Sequence, residues 1–176
     1  MRKKSTLLVI ILFFSIIVGF TVIEQQDTSD IATVGQAAPD IELFNSNRDK
    51  TTLSSLKGSV VFINFWATWC ESCVEELPSI NRLFSYFADN TDLKILTILY
   101  KDDIHNALEY MSRNRYSFPV FFTMDSSAAK KYGITGIPET FIIDKKGIVR
   151  DKIIGPADWD TRRALEIFQM LMNEPA

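Results

Sequence analysis

The stretch that decides the fold reads Phe65-Trp-Ala-Thr-Trp-Cys70-Glu-Ser-Cys73-Val-Glu-Glu-Leu-Pro78. It holds both cysteines of the chain, two residues apart. A nearly all-apolar run, 60–65, precedes it and an amphipathic pattern follows, which predicts a buried strand and then a helix that begins at the dithiol. The peptide dipoles and free N–H groups at a helix start favour a thiolate over a thiol. The spacing therefore predicts a redox-active pair, with two structural cysteines or a static disulfide as the alternative.

Charge and ligand content argue against two classes of function. The chain has 176 residues and a formal net charge of −3. The only charges among the first 23 residues are Arg2, Lys3 and Lys4, so the remainder is more acidic still. An acidic domain without clusters of Lys and Arg argues against a nucleic acid partner. Two cysteines and the single His105 fall short of the four ligands of a structural zinc site, so we expect no metal cofactor.

The N-terminus predicts a membrane anchor. Residues 6–23 are uncharged and almost wholly apolar, and they follow a basic stub at 1–5. As a helix with about 1.5 Å per residue, this run spans about 27 Å, close to the hydrocarbon thickness of a bilayer. No Ala-x-Ala-like site follows it, which favours an uncleaved signal-anchor, although Gly19 leaves cleavage open. Because the basic stub should stay in the cytoplasm, we expect a tether at 24–33 and one extracytoplasmic domain at 34–176.

Apolar strand patterns alternate with amphipathic helix patterns along the domain. The predicted strands are 38–44, 51–53, 60–65, 93–100, 118–122, 140–144 and 148–154, and the predicted helices are 70–88, 103–115, 126–132 and 158–172. Asp158 is the expected cap of the last helix. This order implies an α/β fold with a mixed sheet that is covered by helices on both faces.

Helical phase separates Glu76 from its neighbour Glu75. At about 100° per residue, Glu76 falls in the apolar arc that contains Cys73 and Leu77, whereas Glu75 falls on the opposite side. We therefore expect Glu76 to point inward, one turn from Cys73. Burial of a carboxyl raises its pKa, so Glu76 is a candidate base for the Cys73 proton. The alternative is that its side chain bends to the surface and takes no part.

Three segments together resemble the thioredoxin superfamily. They are Trp66-Ala67-Thr68-Trp69-Cys70-x-x-Cys73, Pro78, and Gly136-Ile137-Pro138-Glu139-Thr140-Phe141-Ile142-Ile143-Asp144. From about Val34 to the C-terminus the chain is similar to the TlpA/ResA/CcmG group of membrane-anchored thiol–disulfide oxidoreductases. The resemblance implies a thioredoxin-like mixed sheet sandwiched by helices, with an N-terminal β-hairpin extension and an N-terminal transmembrane helix.

The resemblance also implies roles for four catalytic residues. Cys70 attacks a substrate disulfide, Cys73 resolves the mixed disulfide, and Pro138 faces the pair in the cis form. An acidic residue at the offset of Glu76 is typical of the group.

Substrate contacts are expected around the cysteine pair. Trp69 is a candidate platform beside Cys70, and the backbone of Ile137 can pair with an extended peptide. Glu139 is open to two interpretations, a role in specificity or an ordinary solvated position at a strand start. Glu71 and Ser72 lie between the cysteines, where many relatives have a proline before the second cysteine. This departure leaves the redox potential and the direction of electron flow open.

These inferences give a first hypothesis, a membrane-tethered thiol–disulfide oxidoreductase that works without a cofactor. The resemblance implies protein substrates with disulfides, apocytochrome c among them, and a membrane thiol carrier as electron donor; we expect a monomer. A second hypothesis is an oxidant or isomerase of the same fold in envelope disulfide formation. A third is a non-catalytic tethered module that binds a metal through Cys70 and Cys73. A peroxidase is disfavoured because the expected Pro-x-x-x-Thr-x-x-Cys run is absent.

Overall fold

A central strand that is buried along its whole length organises the domain. The computed structural model describes residues 31–176. The strands in chain order are β1 (Glu42–Phe44), β2 (Lys50–Thr52), β3 (Val60–Trp66), β4 (Leu93–Leu99), β5 (Val120–Phe121), β6 (Glu139–Ile143) and β7 (Val149–Ile154). The helices are a 3₁₀ turn (Leu53–Leu56), α1 (Glu71–Tyr86), α2 (Ile104–Asn114), α3 (Ser127–Lys131) and α4 (Arg162–Asn173).

Five of these strands form a mixed sheet in the order β5-β4-β3-β6-β7. β3 pairs parallel with β4 on one side and antiparallel with β6 on the other. All seven residues of β3 are buried, as expected for a strand covered on both faces. The predicted α/β fold with a mixed sheet is therefore confirmed.

The side chains of β3 alternate between two hydrophobic cores. Phe62 and Trp66 face the core beneath α1 and α4, whereas Ile63 and Phe65 face the core on the other side. Three fully buried side chains of α1, namely Leu77, Ile80 and Leu83, pack in the first core. Burial contributes about 2 kcal/mol for each of them. This packing fixes the N-terminus of α1 at the point where β3 ends.

The predicted N-terminal hairpin is present as the antiparallel pair of β1 and β2. It joins the domain through Phe44 and Phe122, whose backbone N–H groups each donate to the other's carbonyl oxygen at 2.9 Å. The hairpin thus continues the hydrogen bonding of the sheet beyond β5.

The last helix begins later than predicted. Thr161, not Asp158, is its cap, because the Thr161 hydroxyl accepts a hydrogen bond from the Ala164 N–H at 3.2 Å. The chain before Thr161 has another partner, since the Trp159 N–H donates to the Ser79 hydroxyl of α1 at 3.1 Å.

The predicted stub at 1–5, the predicted anchor at 6–23 and most of the predicted tether at 24–33 lie outside the described residues. Between residues 31 and 176, none of the helices has the length and apolarity needed to cross a bilayer.

Candidate active site

Cys70 and Cys73 form a disulfide at the start of α1, with 5.2 Å between their Cα atoms. Cys70 is the N-cap residue, and its Sγ accepts a hydrogen bond from the Cys73 N–H at 3.2 Å. Cys70 is 8% exposed, whereas Cys73 is fully buried among core side chains. Cys70 is therefore the more accessible of the two sulfurs, as an attacking residue must be. An incoming sulfur can approach Cys70 but not Cys73.

The peptide bond between Ile137 and Pro138 is cis and lies against the disulfide. The Ile137 carbonyl oxygen is 3.7 Å from Cys70 Sγ. Ile137 is partly exposed and Pro138 is buried, and the Pro138 carbonyl oxygen accepts from the Gly155 N–H at 2.9 Å. The structure thus brings together Cys70, Ile137 and Pro138, as the resemblance implies.

Glu76 points into the protein, as helical phase predicts, and is 3% exposed. Its Oε1 accepts from Asn64 Nδ2 at 2.8 Å. Its Oε2 accepts from the Ala157 N–H at 3.0 Å and from the Trp159 indole N–H at 3.2 Å. Burial raises the pKa of Glu76 above its ordinary value, although the hydrogen bonds from Ala157, Asn64 and Trp159 oppose this rise. The arrangement gives a buried acid one helical turn from Cys73.

Asn64 and Thr140 complete this polar group, and the sequence analysis missed both. They are direct neighbours on β3 and β6, and Asn64 Nδ2 donates to Thr140 Oγ1 at 2.9 Å. Asn64 had a usable signal, because it is the one polar residue in the run 60–66. The sequence contains no comparable signal for the contacts of Ala157 and Trp159, because these residues lie in a loop about eighty residues further along the chain.

Trp69 stands out from the surface beside Cys70, with 60% of its area exposed. Its indole N–H donates to the Lys101 carbonyl oxygen at 3.2 Å. The preceding residue, Thr68, is held by Asp102, whose Oδ2 accepts from both the Thr68 N–H and hydroxyl at 2.7 Å. Burial would raise the pKa of Asp102, but the hydrogen bonds from Thr68 outweigh it and lower that pKa. Trp69 is therefore a fixed aromatic surface.

Glu71 and Ser72 differ in their relation to the cysteine pair. Glu71 is exposed in the first turn of α1. The Ser72 hydroxyl lies 3.5 Å from Cys70 Sγ. Ser72 can therefore donate to a Cys70 thiolate, while the Glu71 charge opposes its formation.

Glu139 is buried, with 2% exposure, so the interpretation as a solvated strand-start residue is wrong. Its Oε1 forms an ion pair with Lys152 Nζ at 2.6 Å. Lys152 lies on β7 and also stacks over the Phe141 ring at 5.1 Å. Because the side chains of β6 alternate, Glu139 and Phe141 face one core while Thr140 faces the other, toward Glu76.

Residues 31–176 contain no group of three or more His, Cys, Asp or Glu side chains that is arranged to hold a metal ion.

Known proteins resemble this chain in sequence and in fold. The sequence pattern of the AhpC/TSA family matches residues 34–152. The thiol-disulfide oxidoreductase ResA of Geobacillus thermodenitrificans is 31% identical over 159 residues, which cover 88% of this chain and 91% of that protein. The thiol:disulfide interchange protein DsbE of Pseudomonas fluorescens biotype C is 35% identical over 147 residues, covering 80% and 79%.

Among solved structures, a thiol:disulfide interchange protein of the thioredoxin family from Chlorobium tepidum TLS superposes with a TM-score of 0.66. It is 26% identical and covers 78% of this chain and 97% of its own. The chain therefore belongs to the AhpC/TSA family and is a thiol-disulfide oxidoreductase of the ResA and DsbE type, with a thioredoxin-like fold.

Proposed function

We propose that the protein reduces disulfides of partner proteins on the extracytoplasmic side of the membrane, with apocytochrome c as a substrate during cytochrome c biogenesis. The observation that carries this proposal is the contrast between an approachable Cys70 and a fully buried Cys73 beside buried Glu76. Such an arrangement suits a two-step exchange in which only one sulfur meets the substrate. The resemblance to the TlpA/ResA/CcmG group supports the choice of substrate.

The first step begins with the reduced pair. The Cys70 thiolate attacks one sulfur of the substrate disulfide, a new sulfur–sulfur bond forms, and the first substrate sulfur leaves as a thiolate. The hydrogen bond from the Cys73 N–H and the N-terminus of the 16-residue α1 stabilise the attacking thiolate.

The second step releases the reduced substrate. Glu76 takes the proton of the Cys73 thiol, and the resulting thiolate attacks Cys70 Sγ. The bond between Cys70 and the substrate breaks as the intramolecular disulfide forms, and the second substrate sulfur leaves as a thiolate that takes up a proton. Two electrons thus pass from the dithiol to the substrate, and the protein returns to the oxidised state.

The surface around Cys70 supports a peptide-binding role. Trp69 offers an exposed aromatic face, and Ile137 offers a backbone carbonyl group next to the sulfur. An extended substrate segment pairs with that backbone as a short β-strand. Glu71 and Ser72 lie at the rim, and Glu139 acts indirectly, through its ion pair below Pro138.

The location of the domain follows from the N-terminal sequence. Residues 6–23 anchor a single-pass protein, and the residues from 24 to about 30 form the tether. The monomeric domain lies outside the cytoplasm and includes Ala32, which is buried and whose N–H donates to the Lys131 carbonyl oxygen at 2.8 Å. A CxxC pair in that compartment stays oxidised unless electrons are supplied, so a membrane thiol carrier is the donor.

Trapping the mixed disulfide tests this function. In Cys73→Ala, Cys70 attacks but the intermediate cannot resolve, so partner proteins remain attached to membranes that contain the full chain. We expect precursors with a Cys-x-x-Cys-His motif attached to Cys70, and none with Cys70→Ala. Recovery of other disulfide proteins alone would refute the cytochrome assignment, and no adduct at all would refute protein disulfide exchange.

A further inference from the structure

Asn64 is the polar residue at the centre of the buried strand β3, and it is fully buried. Its Nδ2 uses both hydrogens, donating to Glu76 Oε1 at 2.8 Å and to Thr140 Oγ1 at 2.9 Å. Its Oδ1 has no hydrogen-bond partner among residues 31–176. A buried carbonyl oxygen without a partner is unfavourable, and it calls for an explanation.

The two oxygens of Glu76 differ in what they can bind. Oε2 accepts from the Ala157 N–H and from the Trp159 indole N–H. Both of these groups can only donate, so they keep Oε2 as an acceptor. When Glu76 takes up a proton, that proton must therefore sit on Oε1, which faces Asn64.

The carboxamide of Asn64 can meet this change by a half-turn about its terminal bond. Oδ1 then takes the place of Nδ2 and accepts from the protonated Oε1 of Glu76. It also accepts from the Thr140 hydroxyl, which can donate as readily as it accepts. Each orientation makes two hydrogen bonds and leaves one amide atom without a partner, Oδ1 in the first and Nδ2 in the second. The unpartnered oxygen is thus the acceptor that the protonated acid needs.

We propose that Asn64 is a positioning residue for proton transfer at Glu76. Its carboxamide donates to the Glu76 carboxylate and, after a half-turn, accepts from the protonated Glu76 carboxyl group. Glu76 thereby keeps its place and its number of hydrogen bonds in both protonation states. The inference rests on the proposed function, because it assumes that Glu76 gives and takes a proton during disulfide exchange.

Among the groups around Glu76, Asn64 is the one that can respond to the protonation of its carboxylate. Cys73 lies one turn before Glu76 on the same helix and does not titrate in the disulfide form, and Thr140 of β6 contacts the Asn64 amide as a neutral hydroxyl. The neighbouring loop carries Asp158, which is exposed, and Asp160, which is half-buried and pairs with Arg82. Among residues 31–176, no Lys, Arg or His forms an ion pair with Glu76. Burial raises the pKa of Glu76, which brings its titration toward neutral pH.

Nuclear magnetic resonance on the oxidised full chain tests the half-turn directly. The Glu76 carboxyl carbon reports its protonation, and nuclear Overhauser contacts of the Asn64 side-chain NH₂ report its orientation. We expect contacts from this NH₂ group to the Glu76 and Thr140 side chains above the Glu76 midpoint, and their loss below it. Contacts that persist through the titration would overturn the proposal.

Exchange kinetics supply a second readout. Asn64→Leu removes both the donor and the acceptor at similar volume. Asn64→Leu loses the hydrogen bond to the Glu76 carboxylate and the hydrogen bond from the protonated carboxyl group, and the first of these is the stronger. We therefore expect the pH midpoint of the Cys73 resolution step to move upward by about half a unit to one unit. An unchanged pH profile would contradict the proposal. If Asn64→Leu does not fold, the measurement on the unmodified chain still decides.

Thr97→Val is the matched control. Thr97 is the direct neighbour of Asn64 on β4, is fully buried and donates to the Pro119 carbonyl oxygen at 2.7 Å. It makes no hydrogen bond to Glu76, so the pH profile should stay as in the wild type.

The two proposals can fail separately. If the wild-type chain exchanges no disulfides, the proposed function fails, whereas the linked response of Asn64 and Glu76 is still measurable in the oxidised protein. If the chain exchanges disulfides but the Asn64 amide keeps its orientation, only this inference fails.

Discussion

The indole N–H of Trp159 donates to the Glu76 carboxylate at 3.2 Å, across 83 residues of sequence. The Trp159 ring also packs edge-on against Phe62 of β3, with 4.9 Å between the ring centroids. The loop before the last helix therefore closes over the inner side of α1. It supplies fixed donors to an acid that would otherwise lie in an apolar core.

Trp159→Phe should raise the pKa of Glu76 further, by about half a unit to one unit, because a hydrogen bond to the carboxylate is lost. The Phe ring keeps the aromatic contact with Phe62. Carbon-13 titration of the Glu76 carboxyl in the oxidised protein measures the shift. Trp69→Phe, which alters an exposed ring away from Glu76, is the control and should leave this titration unchanged. A lowered or unaltered pKa in Trp159→Phe would show that the indole does not stabilise the carboxylate.

Glu76→Gln should make the stability of the oxidised protein less dependent on pH. Folding raises the pKa of Glu76 above its unfolded value of about 4.3, so the folded state keeps the proton where the unfolded state has lost it. The free energy of unfolding of the wild type therefore falls as the pH rises from this value through the folded pKa.

Glutamine has no charge to bury, and it can donate to Asn64 while accepting from Ala157 and Trp159. The stability of Glu76→Gln relative to the wild type should therefore increase as the pH rises from about 4 to 8. Denaturant unfolding at a series of pH values measures both proteins. If the free energy of unfolding changes with pH in the same way for both proteins, Glu76 does not titrate between its unfolded and its folded pKa.

Lys152→Met should destabilise the domain by about 2–3 kcal/mol, because it leaves the buried carboxylate of Glu139 without its cation. The double variant Glu139→Gln/Lys152→Met removes both charges and should recover most of the loss. Denaturant unfolding of the wild type, both single variants and the double variant gives the coupling energy. If the effects of the two substitutions on the free energy of unfolding are simply additive, the ion pair does not stabilise this end of β6.

Trp69→Ala should slow disulfide exchange with protein substrates but not with small disulfides. The exposed indole lies beside Cys70 but does not touch the buried groups that control Cys73, so exchange with a small disulfide such as oxidised glutathione should be unchanged. For a peptide that carries a Cys-x-x-Cys-His disulfide, we expect kcat/KM to fall about tenfold, the usual size of a lost aromatic contact. An equal loss with both substrates would mean that Trp69 acts on the sulfur chemistry itself.

Local patterns made much of the fold and part of the site predictable. The apolar run at 60–65 and the phase of Glu76 depend only on near neighbours along the chain, and both predictions agree with the structure. The partners of Glu76 were not predictable, because Ala157 and Trp159 reach it only through the closed tertiary fold.

Glu139 shows a different limit of sequence reasoning. A charged residue at a strand start suggests exposure, and its burial becomes acceptable only when the antiparallel pairing of β6 with β7 brings Lys152 beside it. The late start of the last helix has a similar cause. The contact of Trp159 with Ser79 competes with helix formation at residues that look like a helix cap in sequence.

The reduction potential of the Cys70–Cys73 couple tests the central claim that the protein is a reductant. Glu71 and Ser72 lie where they influence the Cys70 thiolate, the first through an exposed charge and the second through a hydroxyl 3.5 Å from the sulfur. Equilibration of the full chain with dithiothreitol, followed by alkylation of free thiols, gives the value. We predict about −270 mV or lower, the range of thioredoxin, whereas a value near −120 mV, as in strong protein oxidants, would contradict the account.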